Sequence, residues 1–371
     1  MPPLRDDPVL HQLERPANDV SSQFSEKQKK RNGYFEQDLV IPNIIVYIIM
    51  HTITIYGLYK FFTGQLKLSA VAFSFLLGHL GILGVTAGAH RLWAHRTYKA
   101  KLPLRIFLMF LQTCALQNDI YIWVRDHRMH HKYTDTSGDP HNSNRGFFFC
   151  HVGWLLMKKH PDVINKGKNI DMSDVANDPV VKFQRKYYAL LGLTLTFILP
   201  AIAIVHLFHE TALNAILICI GKYVITLNGT WCVNSFAHMY GWKPYDSSIN
   251  PVENISVSII GLGEGWHNYH HTFPWDYKAA ELGTYRTNLT TGFLDLMAYL
   301  GQAYDLKTVS DDMIKKRAAR TGDGSYKFDK VPLENGNTKE PHNFHDDCVW
   351  GWDDKDMKEE FRKATIKIKS H

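Results

Sequence analysis

The sequence predicts an all-α integral-membrane protein: four membrane-spanning helices in two hairpins, with a cytosolic helical cap that holds a histidine-rich metal site. Three observations predict it. Four apolar stretches reach the roughly 20 residues that a helix needs to cross a bilayer. The connection inside each pair of stretches is short. Eight histidines fall in three tight clusters, all in the polar segments outside the spans or at a span's end.

Averages over the chain hide this pattern. Of 371 residues, 45% are hydrophobic and 13% aromatic, values ordinary for a soluble protein, but the apolar residues are clustered. Residues 1–38 are polar and lack an apolar leader core, so this stretch reads as a cytosolic tail with no cleavage expected. The formal net charge is +6, and Lys27, Lys29, Lys30 and Arg31 form a basic cluster just before the first apolar block. Under the positive-inside rule that flank faces the cytosol.

The first span runs from about 39 to 62 and the second from about 68 to 88, joined by Thr63-Gly64-Gln65-Leu66-Lys67. The third covers about 187–208 and the fourth about 212–235, separated only around His209-Glu210. An even number of crossings puts both termini and the long central segment on one side. Pro42, Pro200 and Lys222 interrupt individual blocks, although membrane helices tolerate proline. The main domain is expected over 39–310, with the cap formed by 89–186 and 236–310. Inside the cap, Leu102 to Ile122 is apolar but holds Gln112, Gln117 and Asn118, and reads as a helix lying along the membrane interface or packed under the soluble cap. Residues 311–371 read as a charged tail, with 321–348 as a flexible linker and Val349-Trp350-Gly351-Trp352-Asp353 as a docked or disordered tip. Five cysteines without CxxC spacing suggest neither a disulfide framework nor a zinc ribbon. Nothing in the pattern points to nucleic acid.

The clusters are His90-Arg91-Leu92-Trp93-Ala94-His95, His127-Arg128-Met129-His130-His131 and His267-Asn268-Tyr269-His270-His271. The last two share the spacing HxxHH. On a helix those positions lie on one face, so three imidazoles are expected to converge on a common point. In the first cluster the two histidines are five apart, about 140° around a straight helix with a step of about 100°. They reach one centre only if the helix ends or bends between them. Imidazole suits iron, copper and zinc. Eight ligands are too many for one tetrahedral zinc and fit two metals. His51, His79, His206 and His209 stand alone in apolar surroundings and read as satisfied core residues.

The clusters, their order and their distances from the spans resemble the animal acyl-CoA desaturases. Longer blocks carry the likeness as well: Thr86-Ala87-Gly88-Ala89-His90-Arg91-Leu92-Trp93, Asp139-Pro140-His141-Asn142, Arg145-Gly146-Phe147-Phe148-Phe149, Gly263-Glu264-Gly265-Trp266-His267 and Arg320-Thr321-Gly322-Asp323-Gly324. The resemblance spans roughly 36–324, and the tail Trp350-Gly351-Trp352-Asp353-Asp354 resembles the moth branch.

The resemblance implies two iron ions with dioxygen as co-substrate. It adds His238, from Asn234-Ser235-Phe236-Ala237-His238, as a ninth ligand, and Asn234 as a contact through water. One iron would take His130, His238, His267 and His271; the other His90, His95, His127, His131 and His270. It implies that Gln117, Trp123, Thr230 and Trp231 hold the bend of an acyl chain. Asn118, Arg125, Asp126, Lys158 and Lys159 would contact the CoA head group. Gly78 and Ile82, four apart on one helix face, would close the tunnel, with plain packing against a neighbouring helix as the alternative. It also implies a fatty acyl-CoA substrate, the endoplasmic reticulum membrane, and cytochrome b5 with its NADH-dependent reductase as electron donors. No His-Pro-Gly-Gly motif occurs that would mark a fused cytochrome domain.

Pro42 stands where the family has arginine, Phe236 replaces a small residue, and Ser137-Gly138 is unusual before Asp139. Asn250-Pro251-Val252-Glu253 resembles the signature of moth enzymes that act at carbon 9 of palmitoyl-CoA before stearoyl-CoA. A Δ11 pheromone-type enzyme is the alternative. A membrane hydroxylase or a desaturase of lipid-linked chains on the same scaffold, and a non-enzymatic metal-binding or scaffold protein, are the other rivals.

Overall fold

The computed structural model describes residues 37–327 and 348–368; the basic cluster at 27–31 and most of the 321–348 segment lie outside them. Among the described residues, four helices are long and apolar enough to cross a membrane. They are α1 (Ile41–Phe62), α2 (Leu68–Ala94), α5 (Pro179–Phe208) and α6 (Ala212–Met239). Between and after them lie α3 (Leu102–Ala115), α4 (Ile120–Lys132), α7 (His267–Thr272), α8 (Leu289–Tyr299), α9 (Asp311–Thr321) and α10 (Glu359–Lys363).

Three spans run further than their apolar blocks. α2 continues to Ala94 by widening into a π-helix over Gly84–Ala94. α5 starts at Pro179, where the Asp178 side chain accepts from the amides of Val180 and Val181. α6 carries on through polar Asn234 and Ser235 to Met239. Of the interrupting residues, Pro42 sits in the first turn of α1, where its missing N–H costs nothing. Pro200 and Lys222 compensate one another. Pro200 cannot donate to the carbonyl of Thr196 four residues back, and the Lys222 ammonium does so instead at 2.9 Å.

The stretch from Leu102 to Ile122 is not one helix. α3 stops at Ala115, Leu116 and Asn118 take left-handed conformations (φ 50° and 67°), and Asp119 caps a new helix by accepting from the Ile122 amide. Gly84 allows α3 to cross α2 closely, since a Cβ there would lie 2.2 Å from the Gln112 amide nitrogen.

The two short turns meet at the end of the bundle opposite the histidines. Glu210 accepts from the Lys67 amide at 2.6 Å and from Asn214 at 2.8 Å, and Asn214 accepts from Lys60 at 2.6 Å. α2 and α6 are the inner pair, with 39% and 44% of their most apolar stretches buried, while α1 (11%) and α5 (22%) are mostly exposed.

Among the described residues after 310, α9 and 348–368 are built into the cap. α9 is held by the ion pair of buried Arg317 with buried Asp246 at 2.6 Å. Strand β1 (Leu306–Val309) pairs antiparallel with β2 (Thr365–Ile368). Val349, Met357 and Phe361 pack in one apolar cluster with Tyr245, Phe273 and Trp275. The tip at 349–353 is therefore docked.

Candidate metal centre

Nine histidines from four elements form two adjacent groups. Their ligand nitrogens lie within 4.8 Å of one another in each group: His90, His95, His127, His131 and His270 in one, His130, His238, His267 and His271 in the other. All are buried except half-buried His127.

Two details of this convergence differ from the reading of the spacings. HxxHH does not aim three rings at one point. On α4, His127 and His131 go to one group and His130 to the other; on α7, His267 and His271 pair while His270 crosses over. Each helix lies between the groups, so positions i and i+4 serve one side and i+3 the other. Nor does the first cluster need the helix to end between its histidines. The π-helix replaces i→i+4 bonds by i→i+5 bonds, as in His95 N–H to His90 C=O at 3.0 Å, and brings residues five apart into near register.

The packing of the rings suits metal ions. Neighbouring Nε2 atoms stand 2.8–3.2 Å apart: His90 to His270, His270 to His131, His95 to His127, His238 to His267, His267 to His271 and His271 to His130. Ligands about 2.1 Å from a cation and at right angles to each other lie about 3.0 Å apart. A ring nitrogen bears either one proton or one lone pair, and nine of them turned inward share a cation better than they share protons.

Outer contacts orient the rings. His130 Nδ1 lies 3.0 Å from both oxygens of Asp139. His90 Nδ1 lies 2.8 Å from Glu264, whose other oxygen takes the fully buried Arg91 at 2.9 Å. Burial alone would raise the Glu264 carboxyl, but His90 and Arg91 bring it down to about 2. His95 Nδ1 contacts the carbonyl oxygen of Trp350. Sequence reasoning missed all three partners. The carboxylates sit within nine residues of a box histidine and could have been sought there, whereas nothing local marks Trp350.

A mostly apolar pocket opens onto both groups, lined by Ile82, Val85, Trp123, Thr230, Val233 and Asn234 beside His90, His127, His130 and His267. Gln117 donates to Thr230 at 2.8 Å. Trp231 faces elsewhere, edge-on to Tyr47 and stacked with His51. Gly78 sits one turn beyond Ile82 in contact with α6: a Cβ there would meet Thr226 Cγ2 at 2.7 Å.

The opposite face of α4 borders a cleft of about 610 Å³ where Asn118, Arg125, Asp126, Lys158 and Lys159 come together with Lys168 and Arg185. Lys159 and Arg125 both pair with Asp126, at 2.6 and 3.1 Å. Burial opposes the Asp126 charge, but those two cations hold its carboxyl below the usual range. Lys158 lies 3.5 Å from Asp38. Asn43, beside the unusual Pro42, donates to the Leu155 carbonyl at 2.7 Å.

The tetrapeptide 250–253 braces the centre. The Val252 amide donates to the Ala237 carbonyl at 2.7 Å, beside His238, and Glu253 accepts from the Tyr269 amide at 2.7 Å, between His267 and His270.

A sequence model for the family described as Fatty acid desaturase matches residues 67–288, which includes all three clusters. The chain belongs to this family. Among its relatives, an acyl-CoA Δ9 desaturase of Acheta domesticus is 51% identical over 90% of this chain and 87% of its own. An acyl-CoA Δ11 desaturase of Trichoplusia ni is 51% identical over 88% of each. Stearoyl-CoA desaturase 5 of Bos taurus is also 51% identical, over 78% of this chain and 86% of its own. The desaturase reading of the clusters thus agrees with the relatives, and they place this chain among the acyl-CoA desaturases.

Proposed function

We propose that this acyl-CoA desaturase holds two irons in its two histidine groups and inserts a double bond at carbon 9 of palmitoyl-CoA first and stearoyl-CoA second. One iron takes His90, His95, His127, His131 and His270. The other takes His130, His238, His267 and His271, completed by a water on Asn234. The observation that carries this reading is the two-faced α4: Trp123, His127 and His130 border the apolar pocket, while Ile122, Arg125, Asp126 and Met129 border the cation-lined cleft. A molecule with an anionic head and an apolar chain fits that arrangement.

Iron with dioxygen supplies an oxidant strong enough to take hydrogen from two adjacent methylenes. The protein's own groups do the rest. Lys158, Lys159 and Arg125 bind phosphate oxygens by charge-assisted hydrogen bonds, and Asp126 keeps the last two cations in place beforehand. The Gln117–Thr230 hydrogen bond and the Trp123 ring hold the chain where it bends past the metals. Ile82 limits how far the chain can run. The carbons of an acyl chain are chemically alike, so this fixed distance from head group to metals selects the carbon.

Two electrons per turnover come from cytochrome b5 and its NADH-dependent reductase, drawn to the basic cytosolic face. The membrane is that of the endoplasmic reticulum, with both termini and the cap (89–186 and 236–310) in the cytosol. The tetrapeptide 250–253 supports carbon 9. The equal identity to the Trichoplusia ni enzyme favours carbon 11 as the second reading. Expression in a desaturase-deficient yeast, with double-bond positions read by mass spectrometry, tests the choice. Δ9-hexadecenoate as the main product is expected, and products unsaturated only at carbon 11 would overturn it.

A further inference from the structure

The outer contacts of the metal ligands come from two kinds of source. Asp139 and Glu264 lie near the histidine clusters in sequence. The partner of His95 does not: Trp350 is 255 positions away, at the far end of the chain. Three consecutive residues there enclose His95. The Trp350 carbonyl meets the ring at Nδ1. The Trp352 amide donates to the His95 carbonyl at 2.9 Å. Between them Gly351, at φ +152°, approaches the His95 backbone so closely that a Cβ would lie 2.4 Å from its oxygen.

This clasp is itself held to the helix of the second cluster. The Trp350 ring lies under the Arg128 guanidinium at 3.9 Å, and Arg128 also donates to the carbonyls of Trp93 and Ala94 next to His95. Lys132, beside His131, donates to the Cys348 carbonyl at 3.0 Å and pairs with Asp354 at 3.0 Å. Asp354 in turn accepts from the Trp350 amide at 2.8 Å. Trp350 and Asp354 are both buried.

We infer that Trp350–Trp352 is a positioning element for the five-histidine centre alone. A carbonyl can only accept. At Nδ1 it fixes the proton there, which leaves the Nε2 lone pair for the metal and sets the ring's angle. Arg96, Lys307 and Arg362 also stack on the two Trp rings, but among the described residues the only metal ligand that the clasp touches is His95, not His130, His238, His267 or His271. The end of the chain therefore governs how firmly one of the two centres keeps its metal.

This inference rests on the reading of the two groups as iron centres, and its test separates the two. Purified full-length protein is loaded with ferrous iron, and metal release to a chelator is followed by absorbance. Wild type should hold two irons per chain; failure to bind metal would refute the centres themselves. In Gly351→Ala one of the two irons should leave about 10- to 100-fold faster, the usual effect of losing an outer contact, and the other at the wild-type rate. Asp139→Asn should accelerate the other iron, so that the double variant releases both quickly. Trp350→Leu, which keeps the carbonyl and most of the apolar bulk but loses the stack under Arg128, should give a smaller acceleration of the same iron, and it serves if the alanine variant does not fold. Wild-type release in both variants, or equal acceleration of both irons, would overturn the inference. The first outcome means no role for the clasp, and the second means general loosening of the cap.

Discussion

Lys222 donates to the carbonyl of Thr196 at 2.9 Å, deep between α5 and α6. Pro200, four residues on, has no N–H to give to that carbonyl. A lone ammonium at this depth is costly, and an unpaired carbonyl is too, so each is tolerated because of the other. Lys222→Met should lower stability by about 1–3 kcal/mol, the usual cost of stranding a buried acceptor. In a Pro200→Ala background, where the helix can close its own bond, the same change should cost measurably less. Thermal unfolding of the four proteins in detergent reads the coupling; purely additive losses would contradict it.

Asp139 is the partner of His130 at 3.0 Å and also caps its own loop, accepting from the amides of Asp135 and His141. Asp139→Asn keeps the shape and loses the charge. Iron affinity of the four-histidine centre should fall about 10- to 100-fold. Titration with ferrous iron checks this, and unchanged binding at both centres would argue against it.

Ile82 and Gly78 should part company under mutation. Ile82 lines the pocket, so Ile82→Phe should shift products toward shorter chains with stability little changed. Gly78 meets Thr226 instead, and Gly78→Ala should cost about 1–3 kcal/mol through overpacking of α2 on α6. Product chain lengths in yeast, beside melting temperatures, distinguish these outcomes. A chain-length shift from Gly78→Ala without loss of stability would reverse the roles.

Glu253 is fully buried, and burial pushes its carboxyl up to about 8. One of its oxygens has no hydrogen-bond partner. The folded protein therefore keeps a proton that the unfolded chain releases near the ordinary glutamate value. The stability associated with that proton is complete at low pH and is lost as pH rises from about 4.5 to 8. Glu253→Gln should flatten this decline, so that the variant gains on wild type with rising pH. Parallel stability curves between pH 5 and 9 would show that Glu253 ionises normally.

Much of this was legible in the sequence. The spans declare themselves because lipid demands length and apolarity together, and the grouping of nine histidines follows the family blocks. The boundaries were less legible. Asn234 and Ser235 look like a helix end, yet α6 passes through them because they face protein rather than lipid. His90 and His95 looked incompatible with one helix because the spacing argument assumed α-geometry, and a π-helix removes the conflict. Long-range contacts left no local trace. Trp231 sits beside Thr230 in sequence but packs on α1, and the Trp350 carbonyl reaches His95 from the end of the chain. The tetrapeptide 250–253 lies outside the histidine clusters in sequence, although its backbone and Glu253 brace both His238 and α7.

The most direct measurement is the structure of the iron-loaded protein with anomalous scattering recorded at the iron edge. Two peaks are predicted, one about 2.1 Å from the Nε2 atoms of His90, His95, His127, His131 and His270, the other at the same distance from those of His130, His238, His267 and His271. A single peak, or two peaks that leave any two of these nine imidazoles turned away from metal, would contradict the account.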